Sequence, residues 1–209
     1  MLKNSIDRIC AFRGRPLIHL LLWQLGCAMS ETQTTEAERN CLARHASGKK
    51  VLAEIGVYHG VTTCRLRKAM DPSGTLVAVD PYPKQRLGFS AQRVIARREV
   101  SRIKGGTVKW MRTTGAKAAR ELHACNSPQF DFVFIDGDHS WAGLQGDWEG
   151  WSRLIAPGGV IALHDSRSTP ARQIEDSGSV LFTRDVIARD PDFETIEAVD
   201  SLTVLQRRG

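Results

Sequence analysis

The sequence predicts an α/β fold with a doubly wound, mostly parallel, seven-stranded sheet and a helical N-terminal arm. Residues 51–60 (VLAEIGVYHG) form a short apolar run that enters a glycine loop, and a helix is predicted to start just beyond it, which is typical of a βαβ unit. Residues 130–136 (FDFVFID) carry large apolar side chains on both faces, as in a strand buried between helical layers. Strand and helix patterns then alternate along the chain, which favours a parallel sheet.

The individual elements follow from local chemistry. Pro16 favours the first turn of an arm helix, and Thr35-x-x-Glu38 is a capping box that opens a helix ending before Gly48. Further helices are predicted from Thr62, over residues 90–104, over residues 116–124, from Trp141 and over residues 179–190. Strands are predicted at residues 51–55, 75–80, 107–111, 130–135 and 160–165, with a terminal strand pair at residues 193–199 and 202–206. We expect a helical arm or lid over residues 1–33 and one α/β domain over residues 34–209.

Composition limits the class of protein. The 42% hydrophobic and 25% charged fractions are those of an ordinary globular chain. Five cysteines without a C-x-x-C pair favour reduced thiols in a cytoplasmic protein and argue against a disulfide framework or a structural zinc site. The apolar run at residues 17–25 superficially resembles a secretion signal. His19 and Gln24 interrupt it, however, and it is too short to cross a bilayer, so no membrane partner is expected.

The net charge of +6 raises the question of a nucleic-acid partner. Basic side chains crowd the predicted helix at Arg93, Arg97, Arg98 and Arg102. No aromatic residues alternate with them along the sequence to form a base-stacking surface. A solvated helix face is therefore favoured over an RNA-binding face, which is kept as an alternative.

The glycine loop reads Glu54-x-Gly56-x-x-x-Gly60, which is neither the G-x-G-x-x-G of dinucleotide-binding proteins nor a phosphate loop ending in Gly-Lys-Ser/Thr. Asp80 ends the second predicted strand 20 residues beyond Gly60. A carboxylate at this position can accept hydrogen bonds from the two ribose hydroxyls of a nucleotide. An Asp that only caps a helix or faces solvent is the alternative.

Two strand ends gather polar groups that suit acid–base or metal chemistry. Asp136, Asp138 and His139 follow the fourth strand, and His164 and Asp165 follow the fifth. Open α/β sheets bind their ligands at this carboxyl edge. Asp138 and His139 are candidate bases, although His139 could instead orient Asp138. Asp136, His164 and Asp165 are candidate cation ligands, although His164 could simply bond the Asp136 carboxylate.

These motifs, in this order, resemble the class I S-adenosylmethionine-dependent methyltransferases, in particular the small-molecule group that includes sugar and macrolide O-methyltransferases. The resemblance covers residues 34–207, which identifies residues 34–209 as the expected cofactor-binding domain. The segments that carry it are Glu54-x-Gly56-x-x-x-Gly60, Asp80, residues 134–140, Pro157-Gly158-Gly159 and Leu163-His164-Asp165.

The resemblance implies a set of residue roles. S-adenosyl-L-methionine would lie over the glycine loop, with its adenine near the segment after the third strand. Asp138 would act as general base on an acceptor hydroxyl. A divalent cation (Mg or Mn) would be held after strands four and five; His164 stands where relatives often carry an acid, and a His–Asp pair also suits iron or zinc. The implied cofactor contacts are Glu54, Gly56, Val57, Tyr58, Gly60, Asp80, Thr114, Gly115 and Asp136, and the implied metal ligands are Asp136, His164 and Asp165.

The function expected from the resemblance is O-methylation of a hydroxylated small molecule, with a sugar or another natural product as a candidate. A metal-dependent hydroxylase on the same fold is the alternative within the family. Two interfaces are also predicted: homo-oligomerisation through the arm, and close approach of another backbone, such as that of a partner subunit, to the glycine face formed by Gly143, Gly146 and Gly150.

Overall fold

The computed structural model describes residues 15–85 and 88–209. One sheet of seven strands runs through it in the order β3-β2-β1-β4-β5-β7-β6. The strands are β1 (Val51–Ile55), β2 (Thr75–Val79), β3 (Thr107–Met111), β4 (Phe130–Ile135), β5 (Ile155–Leu163), β6 (Phe193–Val199) and β7 (Leu202–Arg207). The helices are α1 (Pro16–Gln24), α2 (Glu36–Ala46), α3 (Val61–Ala69), α4 (Ala91–Ser101), α5 (Gly115–Ala124), α6 (Trp141–Trp151) and α7 (Gly178–Asp185).

The predicted fold class is confirmed. Strands β1 to β5 pair in parallel, and β7 is antiparallel to both of its neighbours. Because β2 and β3 lie on one side of β1 whereas β4 and β5 lie on the other, the strand order reverses between β1 and β4. Such a switch point opens a crevice at the carboxyl ends of the two strands, where doubly wound folds bind their ligands.

Each face of the sheet has its own apolar core. One face packs β1 and β4 against α5, α6 and α7 through residues such as Ile55, Val133 and Trp151. The opposite face packs the same strands against α2 and α3, with Leu42 and Phe134 fully buried. Because helices cover both faces of the sheet, the central strands are apolar on both faces.

The capping box at the start of α2 has both of its hydrogen bonds. The Thr35 hydroxyl accepts from the Glu38 amide at 3.1 Å, and the Glu38 carboxylate accepts from the Thr35 amide at 2.7 Å. The helix predicted over residues 179–190 is shorter than expected: α7 ends at Asp185, and a separate 3₁₀ turn follows at Ile187–Arg189.

The glycine face of α6 contacts another part of the same chain, so the expectation of a partner subunit there was wrong. Helix α5 covers it. A Cβ added to Gly150 would lie 2.6 Å from the Cβ of Ala119, and one added to Gly146 would lie 3.4 Å from the Cβ of Ala116. The small side chains permit close packing of two neighbouring helices rather than an interface between subunits.

The arm helix α1 packs on α4 through Leu20, Ala91 and Ile95. The Trp23 indole N–H donates to the Glu99 carboxylate at 2.8 Å. Two arginines of the basic face rest on tryptophan rings of this chain, Arg97 on Trp110 and Arg102 on Trp23. Oligomerisation through the arm stays a prediction, as does the domain division at residue 33.

Candidate active site

The glycine loop is held open by tight backbone packing. Gly56 has a φ of +85°, which favours glycine, and a Cβ at this position would overlap the backbone carbonyl of Asp136. The Asp136 amide donates to the Ile55 carbonyl at 2.7 Å, so the ends of β1 and β4 are joined next to the loop. Gly56 therefore lets the two strand ends that form the crevice come together.

Asp80 organises this loop. One of its carboxylate oxygens accepts from the backbone N–H groups of Val57 and Tyr58, both at 3.0 Å, and the other accepts from Tyr82 at 2.8 Å. In a dinucleotide- or phosphate-binding loop such amides would face a phosphate. Here they face a carboxylate of the chain itself, so this loop is poorly suited to an anionic ligand.

A cavity of about 530 Å³ opens above the loop, at the switch point between β1 and β4. Its size lies within the range of ligand pockets. Seven of the nine cofactor contacts predicted from the sequence line it: Gly56, Val57, Tyr58, Asp80, Thr114, Gly115 and Asp136. Glu54 and Gly60 do not line it, and the contact of each of the nine residues with a cofactor stays a prediction.

The carboxyl group of Glu54 nevertheless has a strongly perturbed pKa. Its side chain is fully buried, and desolvation holds the pKa of its carboxyl well above the ordinary value. A neutral carboxyl at the end of β1 can donate as well as accept a hydrogen bond. Gly60 starts α3 with a φ of +77° and packs against Ala96 and Val100 of α4, so it shapes the loop from behind.

The cavity wall carries acids and no strong base. Among the described residues that line it, no Lys or Arg occurs, and His139 is the single histidine. The acids are Glu31, Asp80, Asp136, Asp138 and Asp147. The wall therefore favours a ligand with positive charge and disfavours a pyrophosphate.

Part of the wall comes from the segment between α1 and α2, which belongs to the arm that was expected to act as a lid, although its individual lining residues were not predicted. Glu31, Thr32 and Gln33 line the cavity. The Tyr58 hydroxyl donates to the Glu31 carboxylate at 2.6 Å, and the Glu31 amide donates to Nδ1 of His59 at 3.0 Å. These contacts tie the segment to the glycine loop, so that it covers the cavity next to this loop.

The acid and histidines after β4 and β5 meet at the carboxyl edge, as predicted. Nδ1 of His164 lies 2.8 Å from Oδ1 of Asp136, and Nε2 of His139 lies 3.5 Å from the same oxygen. These three residues form a group whose ligand atoms lie within 4.8 Å of one another. His139 was predicted as a catalytic residue and not as a ligand, yet it belongs to this group.

Asp165 lies beside the group instead of within it. Its Oδ1 is 3.7 Å from Nδ1 of His164 and is buried without a hydrogen-bond partner, while its Oδ2 pairs with the Arg172 guanidinium. An unpaired buried carboxylate oxygen next to a carboxylate and two imidazoles suits a cation. The residues present therefore fit a divalent ion.

His164 also has a partner that the sequence did not reveal. Its Nε2 lies 3.4 Å from the carboxylate of Glu38, which accepts in addition from the amide and hydroxyl of Ser201. Burial alone would lower the pKa of His164, but the hydrogen bond to Asp136 and the nearby Glu38 carboxylate outweigh it and raise the pKa to about 10. Burial acts against the Glu38 carboxylate too, yet its hydrogen bonds lower its pKa to about 2.

Asp138 lines the cavity just before α6. Its carboxylate accepts from the Ser140 amide at 2.9 Å and lies directly against Gly143. Hydrogen bonds from Ser140 lower the pKa of Asp138, so the group is ionised near neutral pH and is a weak base. Its role as general base stays a prediction.

Asp147 of α6 is a lining residue that the sequence analysis missed. It is buried beneath Gly115 and Gly137, and a Cβ at Gly115 would overlap its carboxylate. Burial raises the pKa of Asp147 to about 6; a backbone hydrogen bond from Ala116 opposes the shift, and the nearby Asp138 adds to it. The buried carboxyl group of Asp147 lies next to the predicted adenine segment and can accept a hydrogen bond from an amino group.

We expect the substitution Asp147→Asn to stabilise the ligand-free protein in a pH-dependent way. The folded state favours protonated Asp147, so its ionisation lowers stability as pH rises from the unfolded pKa through about 6. Above that pH the variant should be more stable by up to about 3 kcal/mol, since one pKa unit is worth about 1.4 kcal/mol. Near pH 4 the gain should vanish.

Urea unfolding of both proteins at about pH 4 and about pH 8 measures the difference. The exposed Asp192, changed to Asn, is the matched control and should show no pH-dependent gain. A gain for Asp147→Asn that is equal at both pH values would contradict the assignment of a raised pKa.

Residues 53–166, more than half of the chain, match the protein family described as methyltransferase domain. A curated relative from Mycobacterium avium (strain 104), provisionally named an O-methyltransferase, is 33% identical over 121 residues, which cover 56% of this chain and 49% of the relative. A second relative from Mycolicibacterium paratuberculosis, with the same provisional name, matches to the same extent. The chain thus spans about half the length of the curated relatives it matches.

Solved structures share the architecture. The O-methyltransferase from Bacillus cereus, in complex with SAH, superimposes with a TM-score of 0.64 at 16% identity, covering 98% of this chain and 96% of that chain. The O-methyltransferase TomG from Streptomyces achromogenes, involved in tomaymycin synthesis and solved in complex with SAM, gives a TM-score of 0.60 at 16% identity, covering 93% and 90%. At these sequence identities, the similarity to the solved structures shows a shared fold alone.

Within the described ranges, no helix combines the length and the apolar character needed to cross a bilayer. The sheet order, the cavity at the switch point and the family match all agree with the resemblance seen in the sequence. The chain belongs to the methyltransferase domain family and has the fold of the class I S-adenosylmethionine-dependent methyltransferases.

Proposed function

We propose that this protein is an S-adenosylmethionine-dependent O-methyltransferase that acts on a hydroxylated small molecule. The observation that carries the proposal is the acidic wall of the cavity at the switch point, with no Lys or Arg among its described lining residues. S-adenosylmethionine carries a positive sulfonium and a positive ammonium, both of which such a wall stabilises. A nicotinamide or flavin dinucleotide carries a negative pyrophosphate, which it repels.

The cofactor would lie over Gly56, Val57 and Tyr58. Asp80 already receives three backbone N–H groups, two on one carboxylate oxygen and one on the other. Because each oxygen has two acceptor sites, the oxygen that receives only the Tyr82 amide can also accept from one ribose hydroxyl. The adenine would lie near Thr114 and Gly115, with the carboxylate of Asp147 beneath it as an acceptor for the exocyclic amino group.

The reaction needs an acceptor oxygen in line with the sulfonium methyl group and a route for its proton. Positioning of the two reactants in one closed site supplies much of the rate. Asp138 lines the cavity as a carboxylate and is the group proposed to receive the proton, and His139 lies on the same wall. The methyl carbon leaves sulfur and bonds to oxygen, so the products are a methyl ether and S-adenosylhomocysteine.

A divalent cation fits the group formed by Asp136, His139 and His164, with Asp165 beside it. When bound, such an ion would lower the pKa of the acceptor hydroxyl and stabilise the oxyanion. Glu38 would orient His164 from behind, since it faces the other ring nitrogen.

One observation favours a second candidate. Two histidines and one carboxylate are also the ligand set of non-haem iron oxygenases, and Asp136, His139 and His164 provide that set. A hydroxylase on this fold would need iron and molecular oxygen. Methyl transfer remains the leading proposal over hydroxylation, because the acidic wall of the cavity stabilises a cationic cofactor.

Methyl transfer is tested with methyl-labelled S-adenosylmethionine and two acceptor pools, a small-molecule extract and total RNA. The proposal expects label in a small molecule, released with S-adenosylhomocysteine. Label in RNA instead would favour the basic face as the acceptor surface. Absence of label from both pools, together with absence of cofactor binding, would contradict the proposal.

Removal of metal separates the two candidates. We expect treatment with EDTA to lower methyl transfer by about 100-fold, within the range by which acid–base and charge stabilisation accelerate such steps. Mg²⁺ or Mn²⁺ should restore it under anaerobic conditions. Substrate oxidation that requires Fe²⁺ and oxygen would favour the hydroxylase, whereas full methyl transfer in EDTA would show that the three residues act without a cation.

A further inference from the structure

A second group of metal-ligating side chains lies away from the cavity. Cys41 and His45 of α2 and Glu197 of β6 bring a thiol, an imidazole and a carboxylate together, with ligand atoms within 4.8 Å of one another. We propose that these three residues form a separate divalent-cation site suited to Zn²⁺, which fastens α2 to the edge of the sheet.

The helix supplies two of the ligands by its periodicity. Cys41 and His45 are four residues apart, so their side chains lie one above the other on the same face of α2. Cys41 is fully buried in the core beneath the helix, whereas the His45 side chain is 20% exposed. The pair therefore has an apolar inner side and an outer side through which an ion can enter.

A β-bulge supplies the third ligand. Thr195 pairs with Leu205 and Glu197 pairs with Val204, so Ile196 is an extra residue in β6. Val204 belongs to the core on the α2 face, whereas Leu205 belongs to the opposite core. The extra residue thus turns Glu197 onto the face of the sheet that α2 covers, and bulges often re-aim a functional side chain in this way.

Each carboxylate oxygen of Glu197 has a partner, and one of these partners is itself a candidate ligand. Oε2 of Glu197 lies 2.8 Å from Nε2 of His45, and its Oε1 pairs with the Arg44 guanidinium. A metal bound through Oε2 would take the place of the proton between carboxylate and imidazole and would leave the Arg44 pair intact. Arg44 would then orient the ligating carboxylate, as charged neighbours of metal ligands commonly do.

The ligand set indicates the metal. Thiolate, imidazole and carboxylate together are typical of Zn²⁺, whose tetrahedral bonds put ligand atoms about 3–4 Å apart and leave the fourth position here for water. Cys41 would bind as a thiolate, so its thiol proton passes to the buffer when the ion binds. The cysteine spacing in the sequence could not indicate this site, because its third ligand comes from a distant strand.

Cobalt is the probe that reports the sulfur ligand. We expect Co²⁺ added to the reduced, metal-free, full-length protein to give a thiolate-to-cobalt charge-transfer band at one equivalent, and Zn²⁺ to displace it. No cysteine belongs to the cavity group among the residues that the structure describes, so cobalt bound there gives no such band. The band should disappear in Cys41→Ala.

Glu197→Gln tests the site without changing the core, because the Glu197 side chain is 31% exposed. It should weaken cobalt affinity by more than about tenfold and abolish the rise in thermal midpoint that Zn²⁺ gives the wild type. Glu194→Gln, an exposed change on the same strand, is the matched control and should bind as the wild type does. A wild-type protein without the band, or a band kept in both Cys41→Ala and Glu197→Gln, would show an ion-pair network only and overturn the proposal.

Discussion

Replacement of Asp80 by alanine is expected to weaken binding of S-adenosylmethionine by about 100-fold or more. The carboxylate is proposed to accept from one ribose hydroxyl, and loss of a hydrogen bond to a charged group costs about 1.5–3 kcal/mol. The change also leaves the Val57 and Tyr58 amides without their shared acceptor, which loosens the loop beneath the cofactor. Isothermal titration calorimetry measures the affinity directly.

Asp192→Ala makes the same chemical change at an exposed position outside the cavity and serves as the control. Asp80→Asn should fall between the two, because the amide keeps one acceptor oxygen for the loop but loses the charge. Equal affinities of Asp80→Ala and Asp192→Ala for the cofactor would remove Asp80 from the site.

Gly56→Ala is expected to lower the free energy of unfolding by about 2–4 kcal/mol and to abolish cofactor binding. The left-handed backbone conformation costs a residue with a Cβ about 1 kcal/mol. The collision with the Asp136 carbonyl adds the cost of overpacking, about 1–3 kcal/mol. Chemical denaturation measures the first effect and calorimetry the second.

Gly158→Ala separates the two contributions. Gly158 has a similar φ of +72°, but a Cβ there would meet no atom within 4 Å. This variant should lose only the conformational contribution and should bind the cofactor normally. If both variants were destabilised equally, close packing of β1 against β4 would not explain the need for glycine at position 56.

The fold was predictable because local signals agreed with the tertiary structure. Strands β1 and β4 are apolar on both faces, and both are covered by helices on each side. The glycine loop, the capping box at Thr35 and the terminal antiparallel strand β7 all follow from short segments whose chemistry decides their conformation.

The cavity was predictable where it depends on strand ends. Strands β1, β2 and β4 are followed directly by Gly56, Asp80 and Asp136. A parallel sheet brings such strand ends to one edge. The sequence likewise placed His139 and His164 at that edge. It could not tell that His139 lies as close to Asp136 as a ligand would, because side-chain direction after a strand depends on the loop.

Other parts of the site depend on contacts between distant segments. Glu38 was recognised as a capping residue, but its second role beside His164 depends on how α2 packs over β5 and Ser201. In the sequence, Asp147 does not differ from other polar residues of a helix, because its burial depends on the packing of α5 against α6. The glycines of α6 signalled close packing correctly, but a sequence cannot say whether the neighbour is α5 or another subunit.

The central claim is that the cavity between β1 and β4 selects a cationic sulfonium nucleoside over an anionic dinucleotide. Calorimetric titration of the same protein with S-adenosylmethionine and with NAD⁺ tests it most directly. We predict saturable binding of S-adenosylmethionine within the range of roughly 1 μM to 1 mM usual for enzyme substrates, and none of NAD⁺ at millimolar concentration. Tighter binding of NAD⁺, or no binding of S-adenosylmethionine at millimolar concentration, would contradict it.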